Sequence, residues 1–363
     1  MKPTRQLHEL GQRLWLDNIT RGLLTSGTLR RYIDEFSVTG LTSNPTIFDK
    51  AIGEGGFYDA AIRRKTAEGK SAETLFFELA LEDLTQAADL LRPVHDATGG
   101  LDGWVSLELS PLLAGDTAGS IRAAAELYRR AKRPNLFIKI PGTPEGVPAI
   151  EESIFAGVPI NVTLLFSREQ YLAAAEAYLR GIERRIAAGL EPQVSSVASI
   201  FVSRWDVAVK DRVPPALRNR LGIAIARRAY KAYVELLASP RWLTLAAAGA
   251  GEQRLLWAST GTKDPQAPDT LYIEALAAPN TINTIPEKTL LAFAEHGELK
   301  SRMPMDGGDA EEVLAQFGRA GIDDAALAAQ LQREGAEAFD KSWQDLLKRI
   351  ASKSAALENA AHP

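Results

Sequence analysis

Eight short runs of apolar or alternating apolar and polar residues read as β-strands: 14–17, 37–42, 104–109, 136–141, 160–166, 194–201, 255–259 and 281–285. Between most of them apolar residues return at helical spacing, and strands alternating with helices predict a parallel sheet covered by helices. The helix boundaries carry their own signals. Ser167 with Gln170 three residues later predicts a capped start for a helix over 168–188, and Gly189 stands where its left-handed stop belongs. Pro286 opens a helix that Gly297 ends. Two gaps are longer than one connecting helix requires. Residues 46–100 hold a helix over about 73–91, with Leu75, Leu79, Leu84, Ala87 and Leu91 on one face and Pro93 as its stop, and residues 206–253 hold another over 217–237 after Pro214-Pro215. Beyond Asp309 two or three more helices follow, the longest near 325–351, and residues 351–363 read as a polar tail.

Side-chain parity separates a closed barrel from an open doubly wound sheet. In Leu136-Phe-Ile-Lys-Ile140 the two-residue period puts Leu136, Ile138 and Ile140 on one face and Phe137 with Lys139 on the other. Likewise Leu14 and Leu16 oppose Trp15 and Asp17; Val105, Leu107 and Leu109 oppose Trp104, Ser106 and Glu108; Ile160, Val162 and Leu164 oppose Asn161 and Thr163. One face of each strand suits a helix layer, while the other carries polar groups toward the strand's C-terminal end, where a barrel assembles its active site. The expectation is one (β/α)8 barrel domain over residues 1–350, with extra helices inserted after strand 2, after strand 6 and at the C-terminus.

Composition narrows the chemistry. The 363 residues are 45% hydrophobic and 24% charged, and no apolar stretch is long enough to span a bilayer. The net charge of −4 lacks long single-sign blocks, so neither nucleic acid nor an anionic membrane is the expected partner, and small molecules are. Zero cysteines exclude disulfides, thiolate zinc, iron–sulfur clusters and a Cys nucleophile. His8, His95, His296 and His362 are scattered, which favours surface or packing roles over metal ligation. The polar first ten residues lack a secretory apolar core, so a cytoplasmic location is expected. Gly249-Ala-Gly251 lacks a third glycine and a preceding strand, and no phosphate-binding loop motif occurs, so nucleotide binding has no support.

Lys139 carries the most information. A lysine inside an apolar strand either snorkels from one end or is held in the interior, where desolvation lowers a pKa that otherwise leaves about one amine in 2,500 neutral at pH 7. The second reading makes a Schiff-base nucleophile. Glu108 and Asp17, each opposite its strand's apolar row, are candidates for moving the protons that imine chemistry requires; a structural salt bridge is the plainer alternative. Asn44, Asn161, Thr163 and Ser199 offer neutral donors and acceptors at strand ends, although Asn44-Pro45 also suits a simple turn start. Arg204, Ser259 and Lys263 follow late strands, where barrels often bind phosphate.

Four segments, Gly40-Leu-Thr-Ser-Asn-Pro-Thr46, Phe137-Ile-Lys-Ile-Pro141, Asn161-Val-Thr-Leu-Leu-Phe166 and Trp257-Ala-Ser259, together resemble the transaldolase family, in order and over about residues 10–300, and the long insertions resemble its larger bacterial branch. The resemblance implies a class I aldolase barrel with the Schiff-base lysine on the fourth strand, and a cofactor-free, metal-free transfer of a dihydroxyacetone unit between sugar phosphates in the non-oxidative pentose phosphate pathway. Lys139 would attack the C2 carbonyl of sedoheptulose 7-phosphate or fructose 6-phosphate. Glu108 would act through a water held by Thr163, and Asp17 would take the C4 hydroxyl proton. Asn44, Asn161 and Ser199 would hold the dihydroxyacetone hydroxyls, with Arg204 and Ser259 on the phosphate. The sequence departs at Gly261, where the family's shorter members carry an arginine; Lys263 is the candidate replacement. An aldolase releasing free dihydroxyacetone and a non-catalytic sugar-phosphate-binding barrel are the alternatives. General prevalence favours a homodimer, with no helix face that identifies an interface.

Overall fold

The computed structural model describes residues 1–359. Eight parallel strands close into a barrel in sequence order: β1 (Arg13–Asp17), β2 (Val38–Thr42), β3 (Trp104–Glu108), β4 (Leu136–Pro141), β5 (Ile160–Leu165), β6 (Ser196–Phe201), β7 (Gln253–Ala258) and β8 (Ile282–Ile285). All eight lie where the apolar runs place them. The outward rows Leu14/Leu16, Val105/Leu107, Leu136/Ile138/Ile140 and Ile160/Val162 join the helices in one large core. The inward Trp15, Trp104, Phe137, Val197, Leu256 and Ile282 belong to a second, which continues under the C-terminal segment.

The inward aromatics form a floor. Trp104 stacks on Phe137 with ring centroids 4.1 Å apart, and Trp15 lies tilted to Phe137 at 6.2 Å. Trp15 donates its indole N–H to buried Asp102 (2.9 Å), which Arg13 faces at 3.5 Å. Gly40 on β2 makes room for this layer, because a Cβ there would run into the Trp15 indole.

Parity fails at one place, the end of β5. Val162 pairs with Ala198 but Leu165 with Ile200, so β5 carries one extra residue, and Leu164 adopts a left-handed φ of 58°. This bulge removes Leu164 from the row of Ile160 and Val162 and turns it into the inner cluster; Leu165 takes the outward place instead.

The helical insertions sit after β2 and β6 as expected, with corrected bounds. The helix Ala72–Ala97 runs through Pro93 rather than stopping there. Proline forfeits one hydrogen bond but keeps a helical φ, and Thr98 caps the end by bonding the Val94 carbonyl through both its N–H and its hydroxyl. After Pro214 the chain forms one 3₁₀ turn, Pro215–Leu217, and the α-helix starts only at Leu221, because Asn219 lies in the left-handed region and Asp206 accepts from the Leu221 and Gly222 N–H groups. Ser167 caps Arg168–Ala187, although Gln170 reaches back to the Phe166 N–H rather than to Ser167 itself. A helix not anticipated, Pro3–Leu10, precedes β1 and buries Leu7. Beyond the barrel lie Ala310–Arg319 and the C-terminal helix Asp324–Asn359, so the tail expected from 351 is helical up to Asn359; its remainder, with His362, lies outside the described residues. That helix packs on Pro45–Gly53, Asp59–Thr66 and Ala72–Ala97 and reaches the end of β5. Among the described residues no helix is long and apolar enough to cross a membrane.

Candidate active site

Parallel pairing brings four strands' polar residues to one level. Glu108 pairs with Lys139 across β3 and β4, Lys139 with Asn161 across β4 and β5, and Asn161 with Val197 across β5 and β6, two residues short of Ser199. Asn161 and Ser199 thus lie inside their strands rather than at the ends; the barrel's stagger raises them to the height of Lys139. Phe137, two residues back on the same face, sits beneath the lysine as part of the aromatic floor.

Lys139 and Glu108 are each only 6% exposed. The amine donates to Glu108 Oε2 at 3.0 Å and to the Ser43 carbonyl at 3.1 Å. Burial pushes the Glu108 carboxyl above its ordinary range; the positive charge of Lys139 pulls the other way, and Asp17 adds to the rise. Asp17 closes β1 at the rim, where it accepts from Thr42 Oγ1 at 2.7 Å. Burial raises its carboxyl too, against the lowering influence of Lys139, Thr42 and Lys263. Two carboxyls that burial pushes above their ordinary range flank one amine, an arrangement suited to giving and taking protons beside it.

The neutral groups form a chain. Ser199 donates to Asn161 Oδ1 (2.7 Å), and Asn161 donates to Ser106 Oγ (3.1 Å). Thr163, opposite Pro141 at the top of β5, is buried, and its hydroxyl has no partner among the described residues. A buried hydroxyl left in this state is suited to hold a substrate oxygen or a water. Asn44 uses its side-chain oxygen to cap the helix Pro45–Gly53, accepting from the Ile47 N–H at 3.0 Å. Cap and ligand are compatible roles, since the amide NH₂ is not consumed by the cap.

Cations surround the rim. Arg204 is half-buried, with its guanidinium 5.2 Å from the Phe201 ring and 5.8 Å from Phe339 of the C-terminal helix. Among the described residues it donates no side-chain hydrogen bond and pairs with no carboxylate. Burial draws its pKa down, but an arginine stays charged. Ser259 follows β7 with a left-handed φ of 54°, and its hydroxyl meets that of Ser203, the residue before Arg204, at 2.9 Å. Gly261 is buried against Pro286, whose Cγ lies 3.1 Å from the place of a Cβ. Lys263 is exposed, lines a cleft of about 360 Å³ with Arg218 and Asn219, and is near enough for its charge to act on Asp17. A second cleft of about 510 Å³ opens on the other flank, between Asp17, Ile47, Lys50 and Glu287. Among the described residues no group of three or more His, Asp or Glu side chains is arranged to hold a metal ion.

Six sequence candidates (Asp17, Glu108, Lys139, Asn161, Thr163 and Ser199) therefore share the barrel's upper end, with Arg204, Ser259, Asn44 and Lys263 around its rim. Sequence reasoning missed the Ser43 carbonyl, Thr42, Ser106 and Ser203. Thr42 and Ser43 lie inside a segment already singled out, and inward parity marks Ser106. Phe339 lacks any local signal, because only the folded chain returns the C-terminal helix to the mouth.

Residues 14–350 match the family described as Transaldolase/Fructose-6-phosphate aldolase. A Thermobifida fusca protein named transaldolase is 45% identical over 98% of this chain and 99% of its own; Parafrankia sp. and Thiobacillus denitrificans proteins of the same name are 44% and 42% identical, each over 96% of this chain and over 97% and 100% of their own. With the match running from the first strand into the C-terminal helix, the chain belongs to the transaldolase/fructose-6-phosphate aldolase family.

Proposed function

We propose that this chain is a transaldolase, transferring a dihydroxyacetone unit from sedoheptulose 7-phosphate or fructose 6-phosphate to glyceraldehyde 3-phosphate or erythrose 4-phosphate. The observation that carries the reading is a buried lysine amine 3.0 Å from a buried carboxyl inside a closed barrel, in a chain of this family. Lys139 attacks the ketose C2 carbonyl. Glu108, through a water held by the Thr163 hydroxyl, delivers the proton with which the carbinolamine oxygen departs as water, leaving the protonated imine. Asp17 takes the proton of the C4 hydroxyl as the C3–C4 bond breaks; the electron pair of that bond passes into the imine and the aldose phosphate leaves. Reversal with the acceptor aldehyde forms the new bond, and hydrolysis frees the amine. Asn44, Asn161 and Ser199 hold the hydroxyls of the three-carbon unit, while Arg204, Ser259 and Lys263 hold the phosphate.

Borohydride reduction in the presence of fructose 6-phosphate, followed by peptide mass spectrometry, tests the imine. A dihydroxyacetone-derived adduct on Lys139 is expected. No adduct, with Lys139→Ala still binding the sugar, would assign the barrel a binding role only. Stoichiometric transfer to erythrose 4-phosphate separates the transferase from an aldolase that releases free dihydroxyacetone.

A further inference from the structure

The bulge in β5 is unusual backbone placed beside the chemistry. Leu164, which is neither glycine nor asparagine, is left-handed at φ 58°, and the extra residue takes its carbonyl out of the β5–β6 ladder. A buried carbonyl needs a donor. It finds one from far along the chain: Gln332 of the C-terminal helix donates its Nε2 to the Leu164 carbonyl at 3.0 Å and to the Gly142 carbonyl at 2.9 Å. Both partners are acceptors, so only the NH₂ end of this amide fits, and its two hydrogens are both used. Gln332 is itself 9% exposed. Gly142 in turn donates its N–H to the Thr163 carbonyl at 2.8 Å. One side-chain amide thus closes a ring of hydrogen bonds around Thr163, linking the ends of the lysine strand and the threonine strand. The close approach of the helix is secured one turn later at Gly335, where a Cβ would lie 2.9 Å from Leu164 Cδ2 and 3.2 Å from Arg204 Nη1.

We infer that Gln332 is a positioning residue for the proton transfer at the imine, fixing the backbone on either side of Thr163 and with it the place of the inward hydroxyl. The inference rests on the role proposed above for Thr163. Without the amide the Leu164 and Gly142 carbonyls lose their donor and both ends of the Thr163 segment are free to shift; alternation keeps the hydroxyl inward, but a displacement of about 1 Å takes it off the water it holds. Asn161 shares β5 but sits before the bulge, in regular pairing with Val197, and the remaining hydroxyl and phosphate partners lie off this strand, so the loss falls on kcat rather than KM.

Gln332→Met keeps length and volume but removes both donors. Its kcat is expected to drop about 10- to 100-fold, the cost of a small misplacement, with KM within about twofold of wild type. The deciding measurement is a double-mutant cycle with Thr163→Ala: a residue acting through Thr163 has almost no further effect once that hydroxyl is gone. Equal kcat losses from Q332M in the wild-type and T163A backgrounds, a wild-type kcat for Q332M, or a loss confined to KM would each overturn the assignment while leaving the proposed chemistry standing. A T163A enzyme with wild-type kcat would remove the role of Thr163 and this inference with it. Should Q332M fold too poorly to assay, Gln332→Glu replaces it. Its carboxyl faces two carbonyls and donates only when protonated, so its kcat relative to wild type is expected to rise as pH is lowered; a ratio flat with pH overturns the assignment.

Discussion

Asp83 and Glu108 are both buried carboxylates beside a cation, and the fold uses them differently. Asp83, on the helix Ala72–Ala97, has one oxygen held by Arg21 Nε at 2.8 Å and the other by the Tyr58 hydroxyl at 2.7 Å; Arg21 also reaches Glu82 at 3.0 Å. Glu108 meets Lys139 at a comparable 3.0 Å, inside the barrel. Burial raises both carboxyls, so a perturbed acid beside a cation does not by itself identify the active site. The cation and the company do. A guanidinium does not give up its proton, and around Asp83 every oxygen is matched to a donor; the cluster binds the post-β2 insertion to the segment after β1. Lysine can become a nucleophile, and its neighbours include a buried hydroxyl with no partner among the described residues.

The contrast is sharpest at the lysine. Lys139→Met should lower kcat by about 10⁴-fold or more and abolish the borohydride adduct, with the fold retained by circular dichroism, because burial pushes the Glu108 carboxyl upward and losing the lysine's charge pushes it further toward the neutral form. A variant with measurable adduct would place the imine elsewhere. Asp17→Asn comes next, at about 10²- to 10⁴-fold in kcat. As a base Asp17 must be ionised, and burial raises its carboxyl, so wild-type activity should fall on acidification through a limb above the ordinary Asp value of about 3.9. That limb should vanish from the pH profile of the variant; its persistence would assign it to another group. On the other side of the comparison, Asp83→Ala should cost about 3 kcal/mol of stability in denaturant unfolding by removing the buried acceptor shared by Arg21 and Tyr58 and leaving Arg21 only its outer partner Glu82, with kcat near wild type under native conditions. A large kcat loss without destabilisation would erase the distinction between the two sites. Lys263→Ala gives the smallest effect, about a tenfold rise in KM with kcat retained, and an unchanged KM would remove Lys263 from the phosphate site.

The sequence reveals most where local rules operate. Alternation located all eight strands and the inward row Trp15, Trp104 and Phe137, together with Asp17, Glu108 and Lys139, because side-chain direction in a strand follows from position alone. It failed at Leu164, where an inserted residue resets the alternation for a reason located 168 residues away, at Gln332. The insertions were legible as lengths but not as bounds: Pro93 does not end its helix, and the start at Leu221 is set by the Asp206 carboxylate from another element. The same limit hid the C-terminal helix's part in the site, since the placement of Phe339 over Arg204 depends on tertiary return of the chain.

The aromatic floor of Trp15, Phe137 and Trp104 has a kinetic meaning. It fills the barrel just below Lys139, so substrate reaches the lysine from the upper end alone. Under the proposed reaction, departing and arriving aldose phosphates cannot pass each other; the first must clear the entrance before the second comes in, while the three-carbon unit waits on the lysine. Three packed rings thereby impose a queue, and the double-displacement order of the catalytic cycle follows from plumbing as much as from chemistry.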